Sequence, residues 1–503
     1  MRIPVPERFS SRSIFIFITV VFAGQLIEGT DLLFAVLTSI FIAIWAAAFN
    51  VSGGIEYTSG AYIFFNGLMT VILGVVFKII FFEAGNKHLR SPRSLMLVYC
   101  ITMAGMGIAA MISRGLRPAS GILKNFDSDQ AIKQGAFVCL VLAGVLAVTT
   151  SSSSGGAIGS ALRQIDRFPL MAILLGTIYE IRHSKGQRSV NWIVLTAIAF
   201  ETALGLIYFS KEGMLVGATA WFLAGILMNY SFSKTQLISC AVALSFTVYY
   251  LVPYSQYVRN FTTSSTSGNI AVSLLYLGDL NKTRQLYLEA IEDFDIADEY
   301  HIFDKRQPFL DRAIMMAPDD ALVDYTNKGH VFGLAPTYTA YANIVPRVIW
   351  HNKPSIAAGN IYGHEIGILA EDDDTTGISF SPGADAFHQA QWLGLMLLLP
   401  VDMFLMFLIC DTLVGSAKQA PWAFLWILEV THVAPEQGLQ GCVYLFTYAV
   451  IAMLLVYWST KVMGPFILRT IRQDKGAAGR SFDPASRSPV PLAPRSPSGQ
   501  SSL

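Results

Sequence analysis

Charge is what this chain has least of. Only 14% of its 503 residues are Asp, Glu, Lys or Arg, where a soluble domain carries roughly 25%. With 53% hydrophobic residues, that shortfall excludes an ordinary soluble protein and points to an integral membrane protein. Acids and bases balance at 35 each, so no broad basic field argues for nucleic acid. The signatures of soluble nucleotide and metal enzymes are also missing. There is no Walker A loop, no Gly-rich dinucleotide turn, no HExxH and no CxxC. ATP-driven transport within this chain is not expected on that ground, and no cofactor is expected. The five cysteines (Cys100, Cys139, Cys240, Cys410, Cys442) all fall in apolar stretches. None lies in the longest polar interval, so a disulfide framework there is excluded, and they read as small buried hydrophobes. Nor does the N-terminus read as a cleaved signal peptide. Its first apolar run is followed at once by a longer one, with no small-residue cleavage site.

What is present is apolar length. A spanning helix needs about 20 mostly apolar residues. Stretches of that kind cover 13–29, 32–50, 59–82, 94–113, 135–150, 166–182, 190–209, 213–231, 235–252, 391–412, 420–432 and 441–459, with 420–432 the weakest. The expected fold is therefore an all-α polytopic membrane protein with roughly 12 transmembrane helices, since in lipid the backbone must satisfy its own hydrogen bonds. The expected divisions are an N-terminal helical part (1–252), one long extracytoplasmic loop (253–390), C-terminal helices (391–460) and a polar tail (461–503). The tail ends SRSPVPLAPRSPSGQSSL, too poor in apolar residues to fold. Short-loop cations set the orientation. Arg2, Arg8 and Arg12, then Arg114, Arg117, Lys124 and Lys133, then Arg182, Lys185 and Arg188, and finally Lys461, Arg469, Arg472 and Lys475 mark cytoplasmic segments. The long loop then lies outside. It holds 18 of the 35 acids and 9 of the 35 bases, so it is acidic while the rest of the chain is basic. One segment disagrees: Lys87, Arg90 and Arg93 fall on the external side.

Within the long loop, LNKTRQLYLEAIEDFDIADEYHIF reads as one surface helix with Tyr287, Ile291 and Phe294 on its apolar face. The Ser/Gly interval 151–165 reads as a linker. Glu201 stands inside an apolar stretch, where an ionisable group is costly and is a functional candidate. Glu371, Asp372, Asp373 and Asp374 read as a solvated turn. The spacings of His351, His364 and His388 match no zinc pattern, so no metal is expected.

The densest meeting of Arg, Lys, His, Asp and aromatic residues runs from Ile344 to Gly394. Arg347 follows a Pro, with Trp350 three residues on and Lys353-Pro354 next. Arg is a permanently charged planar fork suited to phosphate, and Lys adds a point charge. Asp385 and His388 stand three apart at the start of the returning helix, where they share a face. Either Asp, or His held by Asp, can act as a general base. The cheaper reading of Asp385 is a helix N-terminal acid serving the dipole. Lys211, in the turn FSKEGML between two apolar stretches, either snorkels to water or faces an anion.

PRVIWHNKPS, GNIYG and SPGADAFHQAQWLG together resemble the PR-x-x-W-x-x-KP, G-x-x-(F/Y)-G and PG-x-x-(E) pattern of bacterial oligosaccharide repeat-unit polymerases of the Wzy type. FSKEGML looks like their SK-x-x-x-L element, and FLDRAIMMAP sits where they carry an Arg-containing segment. The likeness of architecture covers nearly the whole chain, while its sharp part is 344–394. Two departures stand out: Asp385 replaces a usual Glu, and His388-Gln389 a usual Asn-Phe. The resemblance implies a multi-helix fold like that of C-type glycosyltransferases. It implies metal-independent, inverting transfer of a growing glycan from undecaprenyl diphosphate to the sugar of a second lipid-linked unit. This would take place at the outer face of a bacterial inner membrane, commonly beside a chain-length regulator protein. Arg347, Asp385 and His388 would then be catalytic. Lys211, Arg312, Trp350, Lys353 and His364 would bind diphosphate or glycan. Two alternatives stay open: an O-antigen ligase on a similar scaffold, and a polysaccharide transporter or flippase, which would require internal repeats that this chain lacks.

Overall fold

The computed structural model describes residues 1–152, 166–263, 265–292, 301–305, 307, 310–345, 349–374 and 376–466. Among them secondary structure is helical, with two isolated β-bridges, Arg2 with Ser231 and Phe380 with Gln437, and no strand. The helices are α1 (Ser11–Ile27), α2 (Leu32–Ser52), α3 (Thr58–Ile80), α4 (Pro92–Leu116), α5 (Asp129–Ser152), α6 (Phe168–His183), α7 (Trp192–Ile207), α8 (Lys211–Leu227) and α9 (Lys234–Phe261). They continue with α10 (Thr266–Leu277), α11 (Leu280–Glu292), α12 (Leu310–Ala313), α13 (Met316–Asn327), α14 (Ala335–Ala342), α15 (Ala358–Glu365), α16 (Pro382–Val414), α17 (Trp422–Glu436) and α18 (Gly438–Phe466).

Seven of them (α2, α3, α4, α5, α9, α16 and α18) are long and apolar enough to cross a membrane. The chain is a polytopic helical membrane protein. The other five expected spans are also helices, but of only 15 to 17 residues. At 1.5 Å per residue they reach about 22–26 Å, short of a hydrocarbon core of about 30 Å. Two of these, α6 and α17, are buried on nearly every side. A helix covered on nearly every side by the rest of the protein needs no full lipid-facing length. That explains why 420–432 is the weakest apolar run.

Contacts sort the helix ends into two sets. At the end that carries Met1, the terminal amino group donates to the Phe232 carbonyl at 2.5 Å. Lys418 there meets Glu7 at 2.8 Å and Glu56 at 3.6 Å, and Lys461 meets Asp127 at 3.2 Å. Arg117 pairs with Asp411, whose carboxylate also accepts from the Ser59 hydroxyl at 2.6 Å. At the opposite end, Arg93 pairs with Asp31 at 2.9 Å and Lys87 with Asp304 at 2.6 Å. Asp320 there accepts the backbone N–H groups of Arg90, at 2.5 Å, and of Ser91, at 2.9 Å. The discordant basic segment is thereby accounted for. Its turn is matched by acids from the long loop and from Asp31, so its charge is answered locally.

The expected surface helix of the loop is described only in its first part. α11 is described to Glu292, 293–300 lie outside the described residues, and 301–305 are bends rather than helix. The linker 153–165 and the tail from 467 also lie outside them.

Candidate active site

The site is built on the first turns of α16. Ser381 caps them, its hydroxyl accepting from the Ala384 N–H at 3.2 Å, and Pro382 follows at a position that lacks only an unused donor. Eight residues later the helix breaks. Ala390 (φ −150°, ψ 27°) and Gln391 (φ 49°, ψ −136°) leave helical space. A non-glycine residue at positive φ is strained, and such strain persists where the surroundings over-determine it. Those surroundings are visible. The carbonyls of His388 and Gln389, freed by the break, accept the N–H groups of Phe332 at 3.0 Å and Gly333 at 3.1 Å. Gly394, past the break, lies so close to the Ala386 carbonyl that a Cβ would sit 1.9 Å from its oxygen. The break turns Pro382–Gln389 into a short buried helix lying beside the span rather than continuing it.

Its polar residues are bound to four other helices, α13, α14, α15 and α18. Asp385 is 3% exposed. Its Oδ1 accepts from the Tyr362 hydroxyl at 3.1 Å and from Gln389 Nε2 at 2.8 Å, and its Oδ2 from the Leu439 N–H at 2.8 Å. Gly438, at φ 55°, permits that approach, because a Cβ there would stand 2.5 Å from Asp385 Oδ2. His388 is 1% exposed. Its Nε2 lies 2.9 Å from Glu365 Oε2 and its Nδ1 2.9 Å from Thr326 Oγ1. Gln389 accepts from the Thr337 hydroxyl at 2.7 Å. The Tyr362 ring stands edge-on to His388 at 4.6 Å. Beneath them Asp319 is fully buried, accepting from Tyr99 at 2.8 Å and from the Ser381 N–H at 2.9 Å. Burial pushes its carboxyl up to about 7 despite those donors. Glu365 is also raised by burial, with the nearby His330 pulling the other way.

Other expected site residues fall in different places. His364 meets the Asp373 carbonyl at 3.1 Å, and the Thr376 N–H closes a turn onto Asp373 Oδ1 at 2.9 Å. The acidic run is thus a turn, as its composition suggests. Lys353 donates to the carbonyls of Asn343 at 3.3 Å and Val345 at 3.0 Å, and Tyr448 donates to that same Asn343 carbonyl. Trp350 is about one-third exposed. Arg347 lies outside the described residues, as does the side chain of Arg312 in α12.

Lys211 opens α8 beside a second polar group. There Arg167 pairs with Glu429 at 2.5 Å and donates to Tyr444 at 2.6 Å, while His432 lies 3.7 Å from Glu212 and 3.4 Å from Glu436. Glu201 is within electrostatic reach of Arg167 and Glu212. Glu436 is three residues from Leu439, so the two groups adjoin through the α17–α18 junction. Among the described residues no three metal-binding side chains come together.

Sequence reasoning missed Glu365, Thr326 and Tyr362 as members of the site. Tyr362 and Glu365 lie within or beside GNIYG. Their spacing of three residues, equal to that of Asp385 and His388, was the available signal. No family model, curated protein or solved structure matches this chain.

Proposed function

We propose that this protein polymerises lipid-linked oligosaccharide repeat units by inverting glycosyl transfer at the outer face of a bacterial inner membrane. The acceptor hydroxyl gives up its proton and attacks the donor's anomeric carbon. The bond from that carbon to the lipid diphosphate breaks, and the diphosphate leaves with the electron pair. A leaving diphosphate needs fixed cations where charge develops. In this reading Arg347 and Lys353, six residues apart in the sequence, supply them, with Lys211 and Arg312 as further candidates.

One observation carries the reading. The motif segments GNIYG-HE and SPGADAFHQ, separated in sequence, bind each other side chain to side chain, Tyr362 to Asp385 and Glu365 to His388. Two of the three stretches that carry the resemblance thus meet at a helix end.

Complementation tests it. In a host deleted for this gene, the wild-type chain is expected to restore long surface glycan, displayed on a gel. Arg347→Ala, at verified membrane levels, is expected to leave single repeat units. Long chains that persist after the deletion itself would overturn the reading.

A further inference from the structure

Asp385 and His388 both have the chemistry of a base, but neither faces outward. Each Asp385 oxygen already accepts a neutral donor, and the carboxylate is packed against the Gly438 backbone. His388 has both ring nitrogens engaged. Glu365 differs. Its side chain is 27% exposed, Oε2 is held by His388, and Oε1 has no hydrogen-bond partner among the described residues. It closes α15 on the same face as Tyr362, one turn from the site's buried wall.

We infer that Glu365 is the group that takes the proton from the acceptor hydroxyl, and that His388 is its positioning residue. This rests on the polymerase reading for the identity of the acceptor. The proton moves from the sugar hydroxyl to Glu365 Oε1 as the new C–O bond forms, and later passes to water from the exposed side. His388 holds the other oxygen by donating its Nε2–H, which fixes the carboxylate plane and favours its charged form.

Thr326 makes that arrangement stable. Its hydroxyl lies 2.7 Å from the Leu322 carbonyl and 2.9 Å from His388 Nδ1. Turned toward the imidazole, it donates to Nδ1 and leaves the Nε2–H for Glu365. Turned toward Leu322, it accepts from an Nδ1–H, and both nitrogens then donate. The network therefore leaves no nitrogen of His388 unsatisfied in either protonation state. The other titratable groups facing the pair are Tyr362 on α15, Tyr325 on α13, Asp385 on α16 and His330 on the segment after α13. Of these, His330 is exposed and stacks on Tyr325 at 4.2 Å. Its protonation adds a cation near Glu365.

The experiment uses full-length protein in membranes and the single-unit lipid-linked glycan extracted from the deletion host. Glu365→Gln is expected to lower the polymerisation rate at least about 100-fold, the scale of a lost general base. Its thermal midpoint in detergent should match wild type. Glu365→Asp is expected to retain a measurable rate. His388→Asn removes the Nε2–H donor, so the acid limb of the pH–rate profile is expected to move to higher pH, because the Glu365 charge loses support. His330→Gln is expected to move that limb in the same direction and by less. A Glu365→Gln rate within about threefold of wild type overturns the proton-acceptor assignment. A lowered rate in His388→Asn with the limb unmoved makes His388 structural only. If wild-type membranes themselves do not extend the glycan, the polymerase reading fails instead, so the two failures are told apart.

Discussion

Asp411 and Asp385 are both on α16, at opposite ends, and each is almost fully buried. They are stabilised in different ways. Asp411 meets a charge, the Arg117 guanidinium, itself stacked 3.7 Å above the Tyr57 ring, and adds two donors from Ser59. Asp385 has no cation in contact among the described residues; its partners are a phenol, an amide and a backbone N–H. Asp319, at the same end, repeats the neutral pattern with Tyr99 and Ser381. A buried charge cancelled by a charge is a clasp. A group of buried carboxyls held by neutral dipoles keeps its electrostatic needs only partly met.

The largest effect should come from breaking the clasp. Arg117→Ala leaves Asp411 an uncompensated buried charge and is expected to cost up to about 5 kcal/mol. The expected result is low membrane yield and a much lower thermal midpoint in detergent. An apolar pair, Arg117→Met with Asp411→Leu, should recover most of the loss. If the double variant is as poor as the single one, charge pairing is not what holds this end together.

The neutral pattern should reveal itself through pH. Asp319 carries a folded-state value near 7, above the unfolded value of about 3.9. Below about pH 4 both states hold the proton and stability is complete. As pH rises toward 7 the unfolded chain releases its proton first, so stability falls, by about 4 kcal/mol at most, and is flat beyond. Asp319→Asn keeps an acceptor for the Ser381 N–H and lets Tyr99 reverse its bond. It should fold well and lose this pH dependence, as read from thermal midpoints at pH 5 and pH 8. An unchanged slope would remove Asp319 from the comparison. At Asp385 the sharper test is steric. Gly438→Ala places a methyl group against Oδ2 at positive φ and is expected to cost about 2 kcal/mol, read by the same midpoints.

Most of the helical architecture was legible in the chain because apolar length is a strong local signal. All twelve expected spans are helices, and even the weak 420–432 run is explained once α17 is found to be interior. The polar site was legible only in part. Asp385 and His388 announce themselves by type and spacing. Their partners do not: Thr326 is 62 residues from His388, and the Leu439 amide is 54 from Asp385. A hydrogen bond across such separations has no periodicity to betray it. The break at Ala390–Gln391 was equally hidden. QAQWLG contains no proline, and the strain there is imposed by tertiary bonds to Phe332 and Gly333. The discordant cations Lys87, Arg90 and Arg93 were visible but unexplained, since their answer lies in acids from distant parts of the chain.

The smallest effect concerns those cations, and it separates surface pairing from both buried patterns. Lys87 and Asp304 are each nearly half exposed, and the Lys87 and His88 side chains hold the Asp304 carboxyl below its usual range. Pairs of this exposure are worth under about 1 kcal/mol and are screened by salt. Lys87→Ala is therefore expected to lower the thermal midpoint only slightly at low ionic strength. In 1 M salt, where the screening length falls to about 3 Å, the difference from wild type should vanish. Arg117→Ala should keep its deficit in the same salt, because its partner is shielded from solvent. A salt-insensitive loss in Lys87→Ala would mean that the loop docks on this turn as tightly as the buried clasp, and the contrast between the surface pair and the buried ones would have to be redrawn.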